Sequence, residues 1–98
     1  MVYVTFSSKK EAKRIAKILL DKKIVACCNI FQIESMYWWN GKIESDKEFV
    51  MIAKTLSKNV KQIKEIVKKE HPYTIPFIGV IDAETNEEYF EWMKEVLK

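Results

Sequence analysis

The sequence predicts a small α+β domain, one antiparallel sheet with two helices on one face and a third helix at the C-terminus. Three observations carry this. Apolar residues alternate with a period of two in some segments and recur every three to four residues in others, and the segments take turns along the chain. An Asn40-Gly41 pair stands in the middle of a long β-type stretch, where both residues tolerate the positive φ of a tight hairpin. The chain has 98 residues, 48% hydrophobic and 32% charged, which suits one ordered domain spanning residues 1–98.

Val2, Val4 and Phe6 alternate with Tyr3 and Thr5, the signature of a half-buried first strand. Ser8 then opens a helix, with Glu11 three residues on as the partner of a capping box. Ala12, Ile15, Ala16, Leu19 and Leu20 follow at helical spacing and form one apolar stripe. Residues 24–39 read as a second strand and 42–55 as its return arm, joined by Asn40-Gly41. Ser57 is placed to cap a second helix whose Val60, Ile63, Ile66 and Val67 share a face. His71-Pro72 ends it, because proline disfavours helical geometry in the residue before it. Residues 77–82 read as a fourth strand. Thr85 with Glu88 forms another capping box ahead of a last helix bearing Tyr89, Phe90, Met93, Val96 and Leu97. The order β-α-β-β-α-β-α is a ferredoxin-like arrangement with an added C-terminal helix and a long β2–β3 hairpin.

A single copy looks incomplete. Hairpin arms of about 14–16 residues exceed the usual strand of roughly 5–6 and reach about 50 Å at 3.3 Å per residue, so the hairpin must bend or project. The runs 24–28 and 49–53 are apolar at every position, which implies cover on both faces. Two helices cover one face, and nothing further in the chain is evident for the other. Met36, Trp38 and Trp39 at the hairpin tip are therefore expected at a self-association interface. Geometry alone leaves dimer and trimer open.

Charge and cysteine content narrow the classes. Seventeen basic and fourteen acidic residues give a net charge of +3, with the signs interleaved along the chain, so no large basic field for nucleic acid is expected. The stretch from Lys9 to Arg14 reads as the solvated face of a helix. No apolar run approaches the ~20 residues of a membrane span and no secretory leader is evident, which makes the cytoplasm the expected compartment. Cys27 and Cys28 are adjacent and point to opposite faces of a strand, so they form neither a mutual disulfide nor a chelate. Abundant Lys and Glu with only two Gly and two Pro agree with a thermostable protein.

Ala26-Cys27-Cys28-Asn29, the block from Ser35 through Tyr37-Trp38-Trp39-Asn40-Gly41-Lys42 to Ile43, Lys54-Thr55, His71-Pro72-Tyr73-Thr74-Ile75-Pro76 and Tyr89-Phe90-Glu91-Trp92 occur in an order and spacing that resembles the CutA divalent-cation-tolerance family. The resemblance spans essentially the whole chain. It implies a ferredoxin-like homotrimer whose long hairpins pair between subunits, cytoplasmic, and associated with tolerance of copper and other divalent metals. The trimer is similar in architecture to PII signalling proteins, which hold effectors in clefts between subunits.

The resemblance also implies a metal reading. Some members are credited with a copper site built from a first-strand cysteine and a His-His pair before Pro-Tyr. Here those positions are Val4, Glu70 and His71, so one imidazole remains where copper prefers several soft or imidazole donors. His71 with Glu70, and Cys27 as a further donor, is the candidate site for Cu²⁺ or another divalent cation, completed from a neighbouring subunit. Alternatively His71 hydrogen-bonds the chain where the second helix breaks. Tyr37, Lys42, Lys54 and Tyr73 are candidates for an inter-subunit cleft, the lysines offering cations to a small anion. No Ser-His-Asp set, no Cys-His pair at plausible spacing and no phosphate-cradling glycine loop is evident, so an enzyme is not expected. Two functions stand: a metal-responsive trimer, or a PII-like effector-binding or scaffolding trimer.

Overall fold

A computed structural model describes residues 1–98. The elements are β1 (Val2–Phe6), α1 (Lys9–Asp21), β2 (Cys27–Trp39), β3 (Lys42–Lys54), α2 (Val60–Glu70), β4 (Ile78–Val80) and α3 (Glu87–Val96), with a 3₁₀ turn at Ser57–Asn59. The strands form one sheet in the order β2-β3-β1-β4, antiparallel throughout. This is the ferredoxin-like α+β fold that the element order implies.

Register places Val2, Val4, Phe6, Met51 and Ala53 on one face, where they are fully buried with Ala12, Ile15, Leu19, Ile63 and Val67 of the helices. Strand alternation sends Tyr3, Thr5, Val50 and Ile52 to the other face. That face is not left bare by the chain, a correction to the expectation that nothing remained to cover it. The loop after α2 crosses the sheet at the end of β1. It starts at His71, stacked on Phe6 of the helix-covered face at 4.6 Å. It arrives at Tyr73, bonded to Glu48 of the opposite face. Val50 is completely buried. Phe31, its cross-strand neighbour, remains 43% exposed, so the cover is partial.

The hairpin pairs without interruption from Cys27–Lys54 to Trp39–Lys42. Asn40 and Gly41 close it with φ of 50° and 76°, the positive pair that matches strand twist. Since β1 reaches no farther than Phe49, both arms beyond it run without a third strand, and the molecule extends 46 × 25 × 21 Å. The hairpin projects rather than bends.

Boundaries differ from the sequence reading at several ends. Ile24 and Val25 are buried but precede β2, and β4 has three residues instead of six. Ser8 does cap α1, accepting from the Glu11 N–H at 3.2 Å. The Glu11 carboxylate, however, turns to Arg14, so the box is half made. Neither later cap forms as expected. Ser57 enters the 3₁₀ turn, which moves the α2 start to Val60 without a side-chain cap. The Thr85 hydroxyl donates to Asn86, and α3 begins at Glu87. In each case a polar neighbour or a tighter turn competes for the same group.

Charges are unevenly divided between the helix layer and the rest of the molecule. Segments 9–23 and 57–70, which carry α1 and α2, hold twelve Lys/Arg and four Asp/Glu. The rest of the chain holds five and ten. The helix layer thus has a surplus of eight positive charges, and the remainder a deficit of five.

Candidate functional site

His71 is the least ambiguous of the candidates. It ends α2 in an extended conformation and is 8% exposed. Its Nε2 lies 2.7 Å from the Thr5 carbonyl and its Nδ1 accepts from the Tyr73 N–H at 3.0 Å. That network assigns the proton to Nε2. With the ring faced by Phe6 and by Tyr73, both nitrogens are already in use. In this chain His71 is the joint that ties the 71–77 loop to the end of β1.

Around Tyr73 the site becomes polar. The Tyr73 hydroxyl donates to Glu48 Oε2 at 2.8 Å, and the Tyr37 hydroxyl donates to Asp46. Asp46 and Glu48 are two residues apart on β3 and so share a face with Tyr37, whose cross-strand partner is Glu44. The hydrogen bond to Asp46, then the loss of water and the nearby carboxylates, push the Tyr37 hydroxyl up to about 12. Tyr73 is raised further, first by burial and then by its bond to Glu48. The pair of tyrosines thus presents protonated hydroxyls bound to carboxylates across the neutral range.

The metal candidates do not converge. Glu70 is held by Arg14, through Oε1 at 3.1 Å and its carbonyl at 2.6 Å. Cys27 pairs with Lys54 in register, whereas the His71 partner Thr5 is level with Val50. Four residues of strand, about 13 Å at the usual rise, and the whole width of the intervening β3 separate them. No group of three His, Cys, Asp or Glu is placed to hold an ion. The donor set of one chain therefore does not fit a copper or zinc site, which calls for about four converging ligands. Cys28 faces the core side; burial, then its neighbour Cys27, push its thiol up to about 12.

The cleft candidates also divide. Tyr37 and Tyr73 lie close enough to influence each other. Lys42 and Lys54 begin and end β3, about 40 Å apart along the strand. Lys54 instead sits 5.4 Å from the ring centre of Tyr89. It lines a cavity of about 310 Å³ with Thr55, Glu84, Thr85, Asn86 and Tyr89 among others. Met36, Trp38 and Trp39 stand 75%, 73% and 58% exposed.

A family model described as CutA1 divalent ion tolerance protein matches residues 1–96. The chain belongs to the CutA1 family. The divalent-cation tolerance protein CutA of Archaeoglobus fulgidus is 46% identical over 99% of this chain and 96% of its own length. The structure described as the periplasmic divalent cation tolerance protein CutA from that organism superposes with a TM-score of 0.95, over 99% of this chain and 96% of that one. CutA1 from Pyrococcus horikoshii gives 0.95 at 41% identity, over 99% and 96%. The PII-like protein CutA from Nostoc sp. PCC 7120, in apo form, gives 0.84 at 27% identity, over 98% and 91%.

Within this CutA1 chain, Asp46, Glu48 and Arg14 escaped the sequence reading. A signal for the first two existed. Counting outward from the Asn40-Gly41 turn sets Tyr37 opposite Glu44 and diagonal to Asp46, and diagonal cross-strand neighbours reach one another when one side chain is long. Arg14 gave none, because its contact with Glu70 joins two helices 56 positions apart.

Proposed function

We propose that the protein works as a cytoplasmic homotrimer in divalent-cation tolerance, without catalysis, and that a divalent cation, copper(II) foremost, binds weakly and between subunits. The observation that carries the reading is the exposed apolar surface of the single chain. Trp38 faces Ile43 across the hairpin, both are at least 60% exposed, and Met36 lies two residues along the same face. At the other side of the sheet Ile75, Phe77, Val80 and Ile81 line the β4 edge, all exposed. A projecting hairpin and an unpaired edge, both greasy, invite pairing with further copies. Family membership supports the tolerance role.

Light scattering tests the assembly: a species near three times the 11.6 kDa of one chain is expected, and a folded single-chain species at micromolar concentration defeats the proposal. Copper(II) calorimetry tests the cation. Weak, saturable binding is expected in the assembled protein and not in a monomeric Trp38→Glu variant. Equal binding by both removes the inter-subunit site. Fractionation of cells addresses the compartment.

A PII-like effector-binding role is the second reading, favoured by the Lys54–Tyr89 cavity, where an ammonium borders an aromatic ring and hydroxyls. Thermal stabilisation by nucleotides or small organic anions, in the absence of metal and lost in Lys54→Gln, would support it over the first.

A further inference from the structure

We propose that the outward face of the α1–α2 layer is a docking surface for the phosphate backbone of duplex nucleic acid, engaged without regard to base sequence. The layer concentrates twelve of the seventeen basic residues of the chain against four acidic ones. The acidic four are largely spent locally. Arg14 holds Glu11 and Glu70, and Lys17 holds Asp21. Lys10, Lys13, Lys61, Lys64, Lys68 and Lys69 are all exposed and none takes part in an ion pair. Unpaired like charges held together on a folded surface repel one another, and a polyanion relieves that repulsion while releasing its own counterions.

The chemistry of the face selects among polyanions. An anionic bilayer holds a peripheral protein through charge together with inserted apolar side chains. The outer surface of these helices offers one large exposed hydrophobe, Leu20, 40% exposed. A protein partner needs an apolar or aromatic centre, and lysine is depleted from such interfaces. A phosphate backbone needs neither. Sequence-specific contacts favour the planar, bidentate fork of arginine. Arg14, the one arginine of the chain, is tied down by Glu11 and Glu70, and the free cations of the face are lysines, which meet phosphates as point charges. The acidic remainder of the molecule turns the helix layer toward the duplex as it approaches.

Fluorescence anisotropy with a labelled 20-base-pair DNA duplex of arbitrary sequence, from 50 to 200 mM NaCl, tests this on the full-length protein. Contact with about four to six phosphates makes log K fall against log salt with a slope of about −4 to −5. The triple variant Lys10→Gln, Lys61→Gln, Lys68→Gln is expected to flatten the slope by about 2.7, at roughly 0.9 per lost contact. An equally discharged control, Lys47→Gln, Lys94→Gln, Lys98→Gln, is expected to keep it. All six positions are exposed, and thermal melts of both triples verify folding. Absence of binding at 50 mM salt overturns the proposal. So does equal weakening by the control triple, or tighter capture by phosphatidylglycerol vesicles than by the duplex. None of these results bears on the proposed trimer, which would form through the hairpin and the β4 edge.

Discussion

His71 looks like a metal ligand in the sequence because an imidazole beside Pro-Tyr is rare and chemically capable. The structure spends both of its nitrogens on backbone groups, Thr5 and Tyr73. No sequence pattern distinguishes a ligand from a joint, since the partners are a carbonyl 66 residues away and an N–H two residues on. Replacing it with alanine strands two buried backbone groups and opens a void against Phe6, so His71→Ala is expected to lose about 2–4 kcal/mol in urea unfolding. An unchanged midpoint would show that the joint carries no weight. The tyrosines set a second expectation. Tyr37 holds its proton to about 12 and Tyr73 is raised as well, whereas unfolded tyrosine ionises near 10. The stabilisation is therefore complete below pH 10. It is lost as pH rises toward 12, because the unfolded chain sheds protons that the folded one keeps. Stability measured from pH 9 to 11.5 should fall in wild type and fall less in Tyr37→Phe with Tyr73→Phe. The half-buried Cys28 thiol, pushed up to about 12, should react slowly with iodoacetamide at pH 8 and much faster once the protein is denatured.

At the scale of elements, periodic segments were legible and ends were not. The stripe of α1 and the hairpin turn come from local preference and packing acting together, so the sequence declares them. Caps depend on which of several neighbouring polar groups wins a single N–H. Ser57 and Thr85 lost those contests for reasons set by the turn before each helix. The C-terminal end of α1 had no sequence signal at all. Lys23 stands at φ 57°, with its N–H bonded to the Leu20 carbonyl and that of Ile24 to Leu19. This is a Schellman closure built without the glycine that usually occupies the left-handed position. An L-residue there costs about 1–2 kcal/mol, offset in part by the lower unfolded-state entropy of a non-glycine residue. Lys23→Gly is expected to stabilise the fold by about 0.5–1 kcal/mol, read as a raised denaturation midpoint with an unchanged m-value. A destabilised variant would mean that the Lys23 side chain contributes packing that outweighs backbone strain.

At the scale of the molecule, the projecting hairpin was legible from its length, while the way one chain covers much of its own apolar runs was not. The 71–77 loop sets Tyr73 on Glu48 and Phe77 against Tyr3, and α3 brings Tyr89 beneath Lys54. Both depend on where β1 stops relative to β3, a register that no local pattern reports. What stays uncovered is concentrated at two extremes, the hairpin tip and the β4 edge, and an assembly that joins them makes folding and association one event. Stability should then rise with protein concentration, because mass action favours the assembled form. Wild-type melting temperature is expected to climb over a hundredfold increase in concentration. A Met36→Ser, Trp38→Ser variant should melt lower, since each buried aromatic or methionine side chain is worth about 1.5–3 kcal/mol and the loss is counted once per subunit. The same variant should keep the His71 joint, whose contacts with Thr5, Phe6 and the Tyr73 N–H lie inside one chain, so the Tyr73 amide should stay protected from hydrogen exchange at low temperature. Concentration-independent melting together with an unaffected tip variant would mean that the hairpin projects for some purpose other than holding the subunits together.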